Sequence, residues 1–300
     1  MPDARHGLSH CTLCPRRCGA DRFQAPGFCG MGAALRVNRH MLHHWEEPVL
    51  SGSKGSGTVF FSGCNLKCVY CQNFAISDQG LGRDLGVADA AALFLDLQAQ
   101  GAHNLNLITA THFAPLAREA VLLAKSRGLS IPVVWNTSGY ESVETLRLLD
   151  GVVDVYLPDL RYVDPQSAAR YSAAPDYPEA ARAAILEMHR QVGNLTFDAD
   201  GLARRGLLVR LLVLPGDPGG VAESLAWIAE HIGPQAFVSL MGQYYPAHRA
   251  AEFPEIDRAV TQAEYDALLA VLEDLGFENG FAQDVGSSKE FTPEFGTGEG

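Results

Sequence analysis

The sequence lacks the features of several common protein classes. No apolar run reaches the roughly 18 residues of a membrane-spanning helix, so we expect no membrane association. The start, Met1-Pro2-Asp3, is not followed by the apolar stretch of a signal peptide, so we expect a cytoplasmic protein. The net charge is −12, and this acidic excess argues against a nucleic-acid partner, since such proteins carry basic faces.

Cysteine is absent from most of the chain. The seven cysteines all lie between residues 11 and 71, in two tight groups of four and three. An odd number of cysteines without a secretion signal argues against a disulfide framework. We therefore interpret both groups as metal-binding sites.

The second group directly follows a short apolar strand. Cys64, Cys68 and Cys71 have the spacing C-x3-C-x2-C. Thiolates suit iron–sulfur clusters and zinc, but a closed cluster or a structural zinc site takes four protein ligands. Three close cysteines therefore predict a [4Fe–4S] cluster with one iron open to a small molecule, and a structural zinc site is the alternative.

The first group has four members in a segment without clear periodicity. Cys11, Cys14, Cys18 and Cys29 have the spacing C-x2-C-x3-C-x10-C. Four thiolates satisfy either a zinc ion or a second [4Fe–4S] cluster, and the spacing does not decide between them. Residues 1–50 can bury little apolar surface, so we predict that a metal stabilises this segment.

Beyond about residue 57 the pattern alternates between strands and helices. Six apolar runs predict strands at residues 58–61, 105–108, 131–135, 152–157, 207–214 and 237–241. Helical patterns between and after them predict helices at residues 88–100, 115–128, 141–149, 165–195, 219–232 and 261–276. We therefore predict an α/β fold whose parallel sheet forms a partial (β/α)6 barrel of the TIM type, with its chemistry in the loops that follow the strands.

The chain is expected to divide into three parts. Residues 1–50 form a small irregular metal-binding segment, residues 51–285 form the barrel with a C-terminal helix, and residues 286–300 form a flexible tail. Polar and aromatic residues follow each predicted strand, so six loops are expected to place side chains around one face of the barrel.

The cysteine run resembles the signature of a known family. Cys64 to Cys71, with Tyr70 directly before the last cysteine, resembles the cluster motif of the radical S-adenosylmethionine (SAM) superfamily, and the resemblance covers about residues 57–245. It implies that the cluster binds SAM at its open iron and cleaves it reductively to a 5′-deoxyadenosyl radical, which abstracts hydrogen from a substrate. The cofactor supplies this chemistry, so no catalytic side chain is expected beyond the cluster ligands.

The resemblance also implies a SAM pocket beside the cluster. Tyr70 is the candidate neighbour of the adenine, and Asn136 is the candidate contact to ribose or substrate. Asp159, Arg161 and Arg210 are candidates for a charged group around the SAM carboxylate and ribose. Arg210 lies in an apolar strand, where a buried charge requires a partner such as Asp159 or a ligand.

Within the superfamily, the chain resembles proteins related to pyruvate formate-lyase activating enzyme. The segments that carry this resemblance are Asn136–Tyr140, Asp159–Arg161 and Val209–Gly216, and the cysteine-rich N-terminus resembles that of one subgroup. The resemblance implies an oxidoreductase that draws electrons from a donor such as flavodoxin or ferredoxin. Its substrate is then either a glycyl-radical protein or a small metabolite.

One motif of the activating enzymes is missing. The Gly-Gly-Glu that holds the SAM amino group is replaced by Thr109-Ala110-Thr111-His112, so a Thr109 or Thr111 hydroxyl or a carbonyl is expected to substitute for it. Two other functions stand as alternatives. One is an iron–sulfur electron carrier or scaffold that does not cleave SAM, and the other is a zinc-stabilised interaction protein.

Overall fold

One mixed sheet organises the protein. The computed structural model describes residues 7–283, 285, 286, 293 and 295, and all element counts refer to these residues. The strands are β1 (Leu35–His43), β2 (Ser56–Phe61), β3 (Arg83–Leu85), β4 (Leu105–Ile108), β5 (Val133–Thr137), β6 (Val155–Pro158), β7 (Thr196–Phe197), β8 (Ala203–Leu212), β9 (Phe237–Met241) and β10 (Gly280–Ala282). The helices are α1 (Pro48–Ser51), α2 (Phe74–Ser77), α3 (Val87–Ala99), α4 (Ala114–Ser126), α5 (Val143–Leu148), α6 (Pro165–Ser172), α7 (Tyr177–Val192), α8 (Val221–His231) and α9 (Gln262–Asp274).

The core of the sheet is parallel and open. The strand order is β10-β9-β8-β6-β5-β4-β2-β1-β3, with β7 paired to β8 off this path. Neighbours from β2 through β10 run parallel, whereas β1 pairs antiparallel with both β2 and β3. The six predicted strands are β2, β4, β5, β6, β8 and β9, so the predicted α/β partial barrel is confirmed.

Buried apolar side chains explain why these strands lie at the centre. Every residue of β2 is buried, and so is every residue of β5 and β6. Burial of one such valine or leucine side chain is worth about 1.5–3 kcal/mol. The last helix, α9, begins where Thr261 and Glu264 form a reciprocal capping box.

The structure differs from the sequence-based expectation at several elements. The long helix expected at residues 165–195 is two helices, because Ala173 takes a left-handed conformation (φ 51°) that ends α6 and Pro178 then lies in the first turn of α7. β1 lies in the N-terminal region that was expected to be irregular. A bulge between Val37 and Arg39 breaks the alternation that would have predicted it.

Residues 7–34, here named the cysteine segment, contain turns and neither a helix nor a strand. They nevertheless pack into the main core, to which they contribute Leu8, Leu13 and Met31. The cysteine segment is therefore docked on the barrel. The division into three parts stays a prediction, and most of the tail expected at residues 286–300 lies outside the described residues.

Within the described part of the chain, no helix is both long and apolar enough to cross a bilayer.

Candidate functional site

The loop between β2 and α2 carries the run Cys64–Cys71. It begins at Gly63 (φ 80°), where an added Cβ would lie 2.4 Å from Met31 Cγ and 2.8 Å from the Cys29 carbonyl oxygen, so no larger residue fits without rearrangement. Fully buried Asn65 donates from Nδ2 to the Tyr140 carbonyl at 2.6 Å. The loop backbone is thus held firmly against both the cysteine segment and the barrel.

Each of the three thiols has a polar neighbour. Cys64 Sγ accepts the Leu66 N–H at 3.4 Å, Cys71 Sγ lies 3.1 Å from Ser77 Oγ, and Cys68 Sγ accepts the Ser172 hydroxyl at 3.0 Å. Burial raises the pKa of the Cys64 thiol to about 12 and also raises the pKa of the Cys71 thiol. Metal ligation requires thiolates, so a bound cation must reverse this effect of burial.

The three thiols have the donor chemistry of iron–sulfur cluster ligands. Among the described residues, no three His, Cys, Asp or Glu side chains are arranged to hold one metal ion. The cysteines are soft donors of the kind that ligate such clusters. A cavity of about 170 Å³ adjoins Cys68 and Cys71, and a larger one adjoins Cys71 from another side.

The larger cavity has a volume of about 230 Å³ and reaches from the cysteine loop into the barrel. The structure brings all five predicted SAM-binding residues to its wall. These residues are Tyr70, Asn136, Asp159, Arg161 and Arg210. Their roles toward a ligand stay predictions, but they share one space with the Cys71 thiol.

Arg210 is the centre of a polar network in this wall. Its Nε donates to Asp159 Oδ1 at 2.9 Å, and its Nη2 donates to Asn136 Oδ1 at 2.6 Å. A third contact, from Nη1 to Glu46 Oε2, is 3.4 Å long. The charge that interrupts the apolar run of β8 is therefore compensated within the protein.

Arg161 is less completely satisfied. Its Nη2 donates to Asp159 Oδ2 at 2.5 Å, and its Nη1 lies 3.8 Å from Cys68 Sγ. Its Nε is buried without a hydrogen-bond partner among the described residues. A buried donor without a partner is costly, so Arg161 has hydrogen-bonding capacity that its contacts among the described residues do not use.

Tyr70 links the cavity to the cysteine loop. Its hydroxyl lies 2.5 Å from the Tyr162 hydroxyl, which lies 2.8 Å from Ser172 Oγ, the donor to Cys68. Its ring packs edge-on against Tyr244, with the ring centroids 5.9 Å apart. Tyr70 therefore both fixes the loop and lines the cavity.

Glu46 is a cavity residue that the sequence analysis missed. It precedes α1, and its side chain is only 7 % exposed. Its Oε1 accepts from Asn106 Nδ2 at 3.1 Å and from Asn136 Nδ2 at 3.4 Å. Burial raises the pKa of Glu46, while Arg210 opposes that rise. The acidic pair Glu46-Glu47 was visible in the sequence, but only the pairing of β1 shows that it enters the barrel.

The expected threonine contacts to SAM are not in the cavity. The Thr111 hydroxyl donates to Glu141 Oε1 at 2.7 Å, behind the wall, and neither Thr109 nor Thr111 lines the cavity. Thr109 has a positive φ of 59° and redirects the chain into a short 3-10 turn. His112 is likewise buried there, and burial lowers its pKa to about 3, so it is neutral.

The four early cysteines come together in the cysteine segment. Cys11, Cys14 and Cys29 are buried, whereas Cys18 is exposed. The Cys18 thiol is hydrogen-bonded to Cys11, and both interact electrostatically with Cys29. Among the described residues, no three His, Cys, Asp or Glu side chains are arranged to hold one metal ion, so the arrangement itself supports neither zinc nor a second cluster.

Comparison with known proteins gives one family match. Residues 58–216 match the family model of the Radical SAM superfamily. An uncharacterized protein of Methanocaldococcus jannaschii is 29% identical over 280 residues, which cover 90% of this chain and 76% of that protein.

Solved structures with a similar arrangement have low sequence identity. A domain of pyruvate-formate lyase-activating enzyme from Bacteroides vulgatus has a TM-score of 0.41 at 14% identity and covers 57% of this chain and 91% of that chain. The FeFe-hydrogenase maturase HydG from Carboxydothermus hydrogenoformans has a TM-score of 0.44 at 16% identity and covers 77% of this chain and 59% of that chain.

Proposed function

Because the chain belongs to the radical SAM superfamily, we propose that it is an enzyme whose [4Fe–4S] cluster is held by Cys64, Cys68 and Cys71. The family implies the cluster and SAM, and the cysteine assignment comes from the C-x3-C-x2-C spacing. The observation that carries the proposal is that Cys71 shares one cavity with two arginines and two carboxylates. A ligand that bears both an amino and a carboxylate group finds complementary charges there.

When bound and reduced, the cluster supplies the electron that cleaves SAM to methionine and a 5′-deoxyadenosyl radical, which abstracts hydrogen from the substrate. The residues of the chain bind, orient and shield the reactants. Tyr70, Phe60, Leu212 and Met241 form apolar parts of the cavity wall and exclude water from it.

Arg161 is proposed to hold the carboxylate of SAM. It is the cavity arginine with a buried N–H that lacks a partner among the described residues. Arg210 is instead occupied by Asp159, Asn136 and Glu46, so it fixes the positions of those groups. Asn136 uses its amide oxygen and its amide nitrogen inside this network, which makes it a positioning residue.

Glu46 and Asp159 are proposed to face the amino group of SAM. Both carboxylates lie in the cavity wall. Asp159 pairs with Arg161 and Arg210, whereas Glu46 has only a longer contact to the shared Arg210, so Glu46 is the less neutralised of the two. They would then take the place of the missing Gly-Gly-Glu. A carboxylate at this position favours a positively charged ammonium group.

Two substrate classes fit the mouth of the cavity. His43, Trp45 and Glu46 from the N-terminal region line the cavity and narrow it, which favours a small metabolite. Trp45 is 61% exposed at the same mouth, which gives a glycyl-radical protein a surface to contact. In either case a one-electron donor such as flavodoxin or ferredoxin is the proposed redox partner.

The proposal is tested by anaerobic reconstitution with iron and sulfide, reduction with dithionite, addition of SAM and quantification of 5′-deoxyadenosine. We expect product from the wild type and none from Cys68→Ala. The matched control is Ser172→Ala, which removes only the hydroxyl that contacts Cys68 and is expected to keep product formation. A fully loaded wild-type protein that makes no 5′-deoxyadenosine would contradict the proposal and favour an electron carrier or scaffold.

A further inference from the structure

The cysteine segment holds four thiols close together beside the loop that carries Cys64–Cys71. The Cys11 and Cys18 thiols are hydrogen-bonded, and a Cβ built on Gly27 would lie 3.4 Å from Cys18 Sγ and 3.6 Å from Cys29 Sγ. Cys14 interacts electrostatically with both Cys11 and Cys29. This group is separate from Cys64, Cys68 and Cys71 in the loop after β2.

Arg22 gives independent evidence for a negative charge at this group. The residue is 2 % exposed, and its guanidinium donates to the carbonyls of His112, Met31 and Gly32. Among the described residues, no carboxylate forms an ion pair with it, and its charge acts on the Cys29 thiol. A buried cation without a counter-charge is costly. A metal centre with four thiolate ligands carries net negative charge, so it would supply the counter-charge for Arg22.

Asn65 connects the two cysteine groups. Its side chain is a hydrogen-bonding neighbour of the Cys14 thiol, and its Oδ1 lies 4.0 Å from Cys64 Sγ. Arg16, two residues after Cys14, donates from Nε to the Asn65 carbonyl at 2.8 Å. One buried residue therefore touches a thiol of each group.

Position favours one of the two candidate centres. A zinc ion has no redox chemistry, whereas an iron–sulfur cluster can accept and donate one electron. Because Asn65 links this group to the loop that carries Cys64, a redox-active centre fits the position.

We propose that Cys11, Cys14, Cys18 and Cys29 hold a second [4Fe–4S] cluster, which passes electrons by way of Asn65 to the cluster on Cys64, Cys68 and Cys71. A one-electron donor protein is oxidised as the N-terminal cluster goes from the 2+ to the 1+ state. That cluster returns to 2+ as the barrel cluster takes the electron and becomes 1+. The donor contacts the exposed side at Cys18. This scheme rests on the proposed function, because its electron acceptor is the cluster proposed there on Cys64, Cys68 and Cys71.

The first test counts metals in the reconstituted full-length protein. We expect about eight irons in the wild type, and about four in both the Cys11→Ala/Cys18→Ala and the Cys68→Ala/Cys71→Ala double variants. Four irons with one zinc in the wild type, or four irons alone, would overturn the second cluster. The wild-type count decides this even if a variant fails to fold, and it does not depend on SAM cleavage.

The second test follows the reduction of the barrel cluster by reduced flavodoxin. We expect this reduction to be at least tenfold slower in Cys11→Ala/Cys18→Ala than in the wild type, while excess dithionite still reduces the cluster fully. An unchanged rate with flavodoxin would overturn the relay. Since 5′-deoxyadenosine is not the readout, a failure here is distinguishable from a failure of the proposed enzyme activity.

Discussion

The two cysteine groups use the same donor atoms in contrasting surroundings. Around Cys68 and Cys71, arginine is met by carboxylate, as Arg161 pairs with Asp159 beside a cavity. Around the early cysteines, Arg22 donates to carbonyl groups and lies over the Phe113 ring, and it has no carboxylate partner among the described residues. The barrel group therefore has charges of both signs beside a cavity, whereas the N-terminal group has a buried cation that a negatively charged metal centre would neutralise.

The number of ligands sharpens this contrast. Three cysteines leave one corner of a cluster open to a small molecule, and four close it. The open group stands at the C-terminal ends of parallel strands, where barrel chemistry is normally found. The group of four lies in the cysteine segment, which contains neither a helix nor a strand. Under the two proposals, ligand chemistry belongs to the group of three and electron supply to the group of four.

The strongest expected effect is at Arg161. Arg161→Met removes the charge with the unpartnered donor, and we expect the kcat/KM for 5′-deoxyadenosine formation to fall about 100-fold because a charge-assisted contact to the SAM carboxylate is lost. Arg161→Lys keeps the charge and should recover part of the activity. Equal kcat/KM values for Arg161→Met and the wild type would show that Arg161 does not bind the SAM carboxylate.

The next effect concerns the junction between the cysteine segment and the barrel. His112 has its pKa lowered to about 3 by burial, and Arg22 donates to its carbonyl. In the unfolded chain His112 takes up a proton below about pH 6.5, whereas in the folded protein it stays neutral until about pH 3. The free energy of unfolding therefore decreases as the pH falls from about 6.5 toward 3. Between pH 7.5 and 5.0 we expect the wild type to lose about 2 kcal/mol more free energy of unfolding than His112→Gln.

Anaerobic urea titrations of both proteins at the two pH values measure this difference. Parallel losses of stability in the wild type and His112→Gln would show that His112 is not the group that titrates. In that case another titrating group, away from the contact between Arg22 and His112, would cause the loss of stability at low pH.

A smaller effect is expected at Glu46. Glu46→Gln keeps the side-chain shape but removes the carboxylate charge, and we expect the KM for SAM to rise about tenfold while the cluster content stays at the wild-type level. Glu47→Gln is the matched control, since Glu47 is adjacent and buried but does not line the cavity. A rise in KM of the same size in both variants would indicate a general electrostatic effect instead of a contact.

The smallest effect on activity is expected at Arg22. Arg22→Gln removes the positive charge beside Cys29, so the N-terminal centre should become harder to reduce and its potential more negative. Arg22→Lys should return it toward the wild-type value. Redox titration followed by electron paramagnetic resonance checks this, and a shift confined to the barrel cluster would reverse the assignment.

Much of the fold was predictable because its central strands are buried on both faces. Continuous or nearly continuous apolar runs, such as Val133–Trp135 and Leu207–Leu212, have few alternatives to a parallel sheet. β1 was not predictable, since the bulge after Val37 breaks its alternation and its pairing with β2 depends on residues far along the chain. Segment length and periodicity carry no information on such pairing.

The site was predictable to a similar degree. Residues directly after strands, such as Asp159 and Asn136, reach the cavity because the parallel strands end at one edge. Thr111 was wrongly expected there, because the left-handed backbone at Thr109 turns its hydroxyl toward Glu141. Glu46 was missed, because it reaches the barrel from a turn whose position depends on β1.

The most direct test of the contrast between the groups is the electron paramagnetic resonance spectrum of the reduced clusters with and without SAM. It is recorded on Cys11→Ala/Cys18→Ala, which retains the barrel group, and on Cys68→Ala/Cys71→Ala, which retains the N-terminal group. We predict that SAM changes the spectrum of the first variant and leaves that of the second unchanged. A SAM-dependent change in the second variant, with none in the first, would contradict the account.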